Sequence, residues 1–298
     1  MLIANEWKDY ELIDTSNGEK LERWKDFYLL RPDPQIIWNN GNLIEKNRKV
    51  IHAHYHRSDK GGGAWENLKN IKPVWQVSYK ELTFNIKQMG FKHTGLFPEQ
   101  AVNWDFMMNK IKNSKREVKV LNLFAYTGGA TVACLKAGAS VVHVDSSRGM
   151  TDWAKENVKT NKLDSCNVRY IVDDVVKFVK REIRRGNKYD ASSCNMFSLN
   201  SNFSLYKAFD NCSKISLFEK DLFPLVELCC EILSDKPLFF IINSYTTGLS
   251  KEVFTNVLKL TVGKKYEGKI YSDEIGLKPK NNDITLPCGI CSRFESYE

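Results

Sequence analysis

The sequence predicts an α/β fold: a parallel sheet with helices on both faces, preceded by a smaller β-rich domain. Three observations carry that expectation. From about Val118 onward, apolar runs of strand length alternate with helical patterns in β-α-β-α-β-α order, which demands crossover connections and hence a parallel sheet. The first part of the chain instead holds short apolar stretches and five tryptophans, Trp7, Trp24, Trp38, Trp65 and Trp75. The length, 298 residues, suits about two domains of roughly 150 residues each. The expected division is an N-terminal β-rich domain, 1–92, and an α/β domain, 93–298.

Within the first domain, "VWQVSYKELTFNIKQMG" alternates apolar and polar residues as two strands or one hairpin do. Gly61, Gly62 and Gly63 mark a mobile turn. "HAHYH" places His52, His54 and His56 on one face of a strand. With no carboxylate or cysteine close by in sequence, the expectation there is an ordinary polar strand face and no metal. The tryptophans are expected mostly in the core.

In the second domain the strands are "VKVLNLFAY", "SVVHVD", "VRYIVDD" and "PLFFIINSY". The helices are "ATVACLKAG", "GMTDWAKENVKTNKL", "VVKFVKREIRRG", "DLFPLVELCCEILSD" and "KEVFTNVLKLTVG". "KIYSDEIGL" and "LPCGICSRFE" read as a closing antiparallel pair.

Composition excludes several classes. The chain is 42% hydrophobic and 27% charged, ordinary for a soluble globular protein. No run of about 18 apolar residues offers a membrane span. "MLIANEWKDYELID" is acidic and amphipathic, unlike a signal peptide, so a cytoplasmic location is expected. The eight cysteines are scattered and read as reduced core residues. Cys288 and Cys291 form a lone CxxC, whereas zinc sites normally take two such pairs. A formal charge of +8 favours an anionic partner such as RNA. On "KFVKREIRRGNK", Lys177, Lys180, Arg181, Arg184 and Arg185 form a basic helix whose default is a solvated face and whose alternative is contact with RNA phosphates.

Ligands of open α/β sheets sit at the carboxyl ends of the strands. After the first strand come Thr127, Gly128 and Gly129, where two glycines let the backbone approach a ligand and a helix begins. After the second comes Asp145, able to accept hydrogens from both hydroxyls of a ribose. After the third come Asp173 and Asp174, able to accept from an adenine amino group. Each has a plain structural alternative, a tight turn or a helix cap. Dinucleotides want G-x-G-x-x-G for their pyrophosphate, and Y-T-G-G-A-T lacks that spacing. S-adenosylmethionine has no phosphate, so the shorter turn points to it.

The stretch "VLNLFAYTGGATVACLKAGASVVHVDSSRGMTDWAKENVKTNKL" resembles the class I S-adenosylmethionine-dependent methyltransferases related to the bacterial 23S rRNA large-subunit methyltransferases. "GFKHTGLFPEQAVNW" is similar to the segment those proteins carry just before the cofactor domain. "LSDKPLFFIINSYTTGLS" and "LPCGICSRFE" look like their late strands. The resemblance covers most of the chain and is most specific from Gly90 to Leu163. It implies a Rossmann-like seven-stranded sheet, a methyltransferase activity, and RNA, ribosomal RNA above all, as substrate. It also implies cofactor contacts from Phe97 and Gln100 in the preceding segment, Phe124, Tyr126 and Gly128 in the glycine turn, Asp145 and Ser146 at the ribose, and Asp174 at the adenine.

The pattern breaks after the fourth strand. The family there carries Asp-Pro-Pro followed by Ser, Lys or an aromatic. This chain reads "YDASSCNMFSLNSNFSLYKAFDNCSKISLFEKDLFPL", so that Asn195, Met196, Phe197 and Ser198 occupy the motif. Asn195 and Ser198 are the catalytic candidates. Both prolines are gone, and "ASSCNMF" puts serines where a buried central strand should be apolar. A pair of compensating frameshifts in the coding sequence is one account, and divergence to a protein without catalysis is the other. Asn243, Ser244 and Tyr245 match the region where cytosine-carbon methyltransferases carry a nucleophilic cysteine, and none is present. Cys194 reads as a buried structural cysteine.

Overall fold

The computed structural model describes residues 1–58, 62–196, 215–245, 249–280 and 282–297. Contacts divide the chain into two compact units, Met1–Val102 with Ile275–Cys288, and Asn103–Glu274 with Gly289–Glu298. The sequence placed its boundary after residue 92. The contacts place it after Val102 and assign Ile275–Cys288 to the first unit as well.

The first unit contains β1 (Leu2–Ile3), β2 (Tyr10–Ser16), β3 (Glu19–Trp24), β4 (Phe27–Pro32), α1 (Leu43–Asn47), β5 (Ala53–Arg57), β6 (Gly63–Asn67), β7 (Trp75–Tyr79) and β8 (Leu82–Ile86). Strands β2 to β6 form one sheet in chain order, and β7 with β8 a second. Only β4 and β5 pair in parallel within the larger sheet. The β7–β8 hairpin is the one the alternation in "VWQVSYKELTFNI" foretells. One sheet face buries Leu21, Leu30, Leu43 and Ile51 together. Trp24 and Trp75 are buried, while Trp7, Trp38 and Trp65 are half-buried. Arg31 and Glu22, both buried, meet through two hydrogen bonds of 2.6 and 2.9 Å, and Tyr10 Oη donates to the same carboxylate at 2.9 Å. A buried charge persists only when it is paired in this way.

The second unit follows with α2 (Ala101–Asn113), β9 (Lys119–Leu123), α3 (Gly129–Lys136), β10 (Ser140–Asp145), α4 (Arg148–Thr160), β11 (Val168–Val172), α5 (Val175–Arg184), β12 (Ala191–Met196), α6 (Ile215–Glu231), β13 (Phe239–Ser244), α7 (Lys251–Leu260), α8 (Val262–Lys265), β14 (Gly268–Leu277) and β15 (Leu286–Ser296). The sheet order is β1-β14-β15-β13-β12-β9-β10-β11. Strands β9 to β13 are parallel, and β15 runs antiparallel to β13. Seven strands are those expected. The eighth is the two-residue β1, which pairs with Ile275–Gly276 of β14 inside the first unit.

Strand order reverses between β9 and β12, because the chain leaves β9 for β10 and β11 on one side and returns to β12 and β13 on the other. Such a switch point opens a crevice at the carboxyl ends. The central strands are apolar because both faces are covered. All six residues of β13, Phe239–Ser244, are buried, and so are four of the five in β9. Leu123, Val144, Phe178, Val226, Phe240 and Phe254 belong to one core cluster. The exception is β12. Ser192 and Ser193 are buried in its middle, each with 1% exposure, and neither hydroxyl has a hydrogen-bond partner among the described residues. Among the described residues no helix is long and apolar enough to cross a membrane.

Candidate cofactor site

The turn after β9 is built from left-handed backbone. Phe124 has φ 51°, Tyr126 φ 52° and Gly128 φ 83°. Glycine adopts that region freely, but Phe and Tyr do so only at a cost, of about 1–3 kcal/mol each, that surrounding structure must offset. Four hydrogen bonds hold the turn. Ala125 N donates to Val144 O at 3.0 Å and Tyr126 N to Asp145 Oδ2 at 2.8 Å. Gly128 N donates to Ala125 O at 3.0 Å, and Asn157 Nδ2 to Thr127 O at 2.8 Å.

The two glycines answer to packing as well as to φ. A Cβ on Gly128 would lie 2.9 Å from Cβ of Ala154 on α4, and one on Gly129 would lie 2.8 Å from the Trp104 ring of α2. The backbone can turn here only because nothing projects from it. Helix α3 starts at once, with Gly128 as its N-cap.

Asp145 ends β10 and is 9% exposed. Its Oδ1 accepts from Ser147 N and its Oδ2 from Tyr126 N, both at 2.8 Å. Burial raises its pKa, and the two backbone donors oppose that rise. A carboxylate offers about four acceptor positions, so after two amides it retains capacity for a pair of ribose hydroxyls. The helix-cap alternative fails for this residue, because the cap of α4 is Ser147, whose hydroxyl accepts from Met150 N at 3.4 Å. Ser146 stands exposed beside it.

Asp174 behaves differently. It is the N-cap of α5, its Oδ1 accepting from Lys177 N at 2.9 Å. Its neighbour Asp173 pairs with Arg181. The end of β11 is tied to the end of β10 by Asp173 N donating to Asp145 O at 3.1 Å. Phe124, Tyr126, Gly128, Asp145 and Ser146 therefore converge at two adjacent strand ends, and Asp174 sits on the next. Phe97 and Gln100 belong to the first unit. There the Phe97 ring lies 5.3 Å from that of His93, and Gln100, buried, closes a 3₁₀ turn with its amide donating to Phe97 O at 3.1 Å.

Of the two catalytic candidates, Ser198 lies outside the described residues. Asn195 ends a chain of side-chain hydrogen bonds that sequence reasoning missed. Arg293 on β15 donates to Asn103 Oδ1 from Nε at 3.0 Å and from Nη2 at 2.6 Å. Asn103 Nδ2 donates to Asn243 Oδ1 at 2.8 Å, and Asn243 Nδ2 donates to Asn195 Oδ1 at 2.6 Å. Arginine has no acceptor, so it sets the polarity of everything downstream. Each amide must take a hydrogen with its oxygen and pass one on from its nitrogen. Position 195 is thereby asked for an acceptor, and Asn195 answers with its oxygen. The one signal in sequence was polar Asn243 inside the buried run "PLFFIINSY".

Cys194 and Cys291 are inert in this setting. Burial pushes the Cys194 thiol up to about 12 and raises that of Cys291, whose Sγ donates to Asn103 Oδ1 at 3.1 Å. Neither is a thiolate nucleophile near neutrality.

A parallel sheet with this switch point, a left-handed glycine turn and a buried carboxylate on the adjacent strand defines a Rossmann-like nucleoside-cofactor domain. The model of the S-adenosylmethionine-dependent methyltransferase family matches residues 29–212, more than half of the chain. The chain belongs to that family. It is similar over nearly its whole length to the solved S-adenosylmethionine-dependent methyltransferase of Agrobacterium tumefaciens, with 29% identity, a TM-score of 0.87, and coverage of 99% of this chain and 92% of that one. A putative methyltransferase of Streptococcus mutans shares the fold, with a TM-score of 0.72 at 18% identity over 98% of this chain and 76% of that one. Among curated proteins, ribosomal RNA large subunit methyltransferase K/L of Syntrophotalea carbinolica is 33% identical over 134 residues, 45% of this chain. Ribosomal RNA large subunit methyltransferase I of Enterobacter is 43% identical over 76 residues, 25% of this chain. These matches span 18% and 19% of those relatives' lengths, less than a fifth.

Proposed function

We propose that this chain transfers the methyl group of S-adenosylmethionine to a nucleobase of structured RNA, with ribosomal RNA the first candidate. The observation that carries the cofactor half is Asp145, buried at the end of β10 and held by the amides of Tyr126 and Ser147. When bound, the cofactor supplies a methyl group already activated on a sulfonium. Asp145 would then accept from the ribose hydroxyls, with Ser146 beside it. Phe124, Tyr126 and Gly128 would shape the turn against the cofactor, and Asp174, while capping α5, would meet the adenine. Phe97 and Gln100 are further candidates for cofactor contact, by the resemblance of their segment.

With an activated donor, the protein's task is to orient the acceptor and exclude water rather than to supply strong acid or base. A base inside a duplex cannot reach such a pocket, so a single-stranded or unstacked nucleotide is the expected substrate. The net charge of +8 and the ribosomal RNA methyltransferases among the relatives support RNA. On this reading the first unit, Met1–Val102 with Ile275–Cys288, is a substrate or accessory domain, the second unit is the cofactor domain, and the protein works in the cytoplasm on ribosomal RNA.

A second reading is favoured by β12. Ser192 and Ser193, whose buried hydroxyls find no partner among the described residues, and a motif without its prolines favour a protein that holds the cofactor without transferring from it. Calorimetry with S-adenosylmethionine followed by a methyl-transfer assay on total RNA separates the two. Binding with transfer supports the first reading, binding alone supports the second, and neither result removes both.

A further inference from the structure

We propose that the first unit carries a divalent-metal site of the zinc class, built from His54, His56 and Glu66. The sequence offers three histidines at alternate positions. The structure sorts them differently. His52 lies just before β5 and is turned to another task, its Nδ1 accepting from Tyr28 N at 3.2 Å. His54 and His56, two apart on β5, share a face. Their rings stand 3.9 Å apart.

The missing carboxylates come from other strands. In the antiparallel β5–β6 pair, Glu66 is the register partner of His54. Its Oε2 lies 2.7 Å from His56 Nε2. That register depends on Gly63, where a Cβ would lie 2.1 Å from His56 O and 2.7 Å from the Tyr55 ring. A larger residue at 63 would push the strands apart, so the glycine brings β6 close enough to deliver Glu66. From β3, Glu19 Oε1 reaches His54 Nε2 at 2.5 Å.

One ligand atom from each of His54, His56 and Glu66 lies within 4.8 Å of the others, a spacing that a single ion can span. Two imidazoles and carboxylate oxygens make the borderline N/O donor set that Zn²⁺ accepts in tetrahedral geometry, with bonds of about 2.0–2.2 Å. The three protein donors lie together, and water takes the fourth tetrahedral position. His56 and Glu66 keep about half of their side chains exposed, 51% and 57%, so an ion can enter from solvent.

The test is metal binding itself, which does not depend on the methyl-transfer reading. The protein, stripped with chelator, is titrated with Co²⁺ and with Zn²⁺. The expected result is a single equivalent of Co²⁺ with the intense visible absorption of a four-coordinate ion, displaced by Zn²⁺. His56→Ala and Glu66→Gln should each weaken uptake on the order of tenfold or more while far-ultraviolet circular dichroism stays unchanged. Glu66→Gln keeps the side chain's size and serves where His56→Ala disturbs folding. Absence of stoichiometric uptake, or uptake that both variants leave untouched, overturns the proposal.

Discussion

Asn243 Nδ2 donates to Asn195 Oδ1 at 2.6 Å, and this bond is the last link of a chain that begins at Arg293. The direction of that chain has a consequence for substitutions. An aspartate at 195 still accepts from Asn243, so Asn195→Asp should cost less than about 1 kcal/mol. Asn243→Leu strands the Asn103 amide and the Asn195 oxygen, and should cost about 1–3 kcal/mol. Chemical denaturation measures both. An Asn195→Asp variant as damaged as Asn243→Leu would mean that the chain runs the other way.

At Gly128 two demands coincide, a φ of 83° and a neighbouring Cβ at 2.9 Å. Gly128→Ala should therefore lower stability by more than the roughly 1 kcal/mol of backbone strain alone and should also weaken cofactor binding. Gly138 has φ 96° with nothing within 4 Å. Gly138→Ala should show the strain cost without the binding defect, and equal binding losses for both would remove the packing argument.

Ser192 and Ser193 bury hydroxyls that find no hydrogen-bond partner among the described residues. Removing an unpaired buried hydroxyl relieves about 1–3 kcal/mol of desolvation, less what the smaller side chain gives up. Ser192→Ala and Ser193→Ala should raise the melting temperature, against the usual trend for core substitutions. The genetic code adds a check. Where these serines use UCN codons, reading one base earlier turns each into NUC, which encodes Phe, Leu, Ile or Val, and turns Cys194 into NUG, which encodes Leu, Met or Val. A shifted frame thus restores the apolar centre that a parallel strand wants. Sequencing the locus and mass spectrometry of the native protein decide it. An unaltered frame with the serine peptide present would leave divergence as the account.

His143 sets a pH limit on stability. It is fully buried on β10, and burial pushes its pKa down to about 3. Its Nδ1 lies 2.9 Å from Thr131 Oγ1, which also accepts from Asn122 Nδ2 at 2.9 Å. The unfolded chain binds a proton near pH 6.5 and the folded chain does not. Stability from this group is complete above that pH and is lost as pH falls toward about 3, at about 1.4 kcal/mol per unit. Denaturation between about pH 7 and 4 should show this slope in the wild type and a shallower one in His143→Gln. Parallel slopes would contradict it.

Legibility in the sequence followed locality. Helices α3, α4 and α5 announced themselves by periodicity, while the cap of α4 is Ser147 rather than the Asp145 that the sequence offered. Asp145 was readable because a strand end is a fixed place in this architecture. Helix α2 was missed because Asn103 and Asp105 interrupt its apolar pattern, and Asn103 turns out to be spent on a tertiary bond. That bond joins residues 140 apart and the Arg293 contact joins residues 190 apart, so only strand register brings them together. The same holds for Glu19 and Glu66 beside the histidines. A scan for nearby carboxylates cannot find partners supplied by β3 and β6.

The most direct measurement is a calorimetric titration of S-adenosylmethionine into the wild type and Asp145→Ala. The account predicts one saturable site in the wild type and an affinity lower by about 1–3 kcal/mol in the variant, the worth of lost charge-assisted hydrogen bonds. A folded wild-type protein that takes up none of the compound at millimolar concentration, or a variant that binds it equally well, would contradict the account.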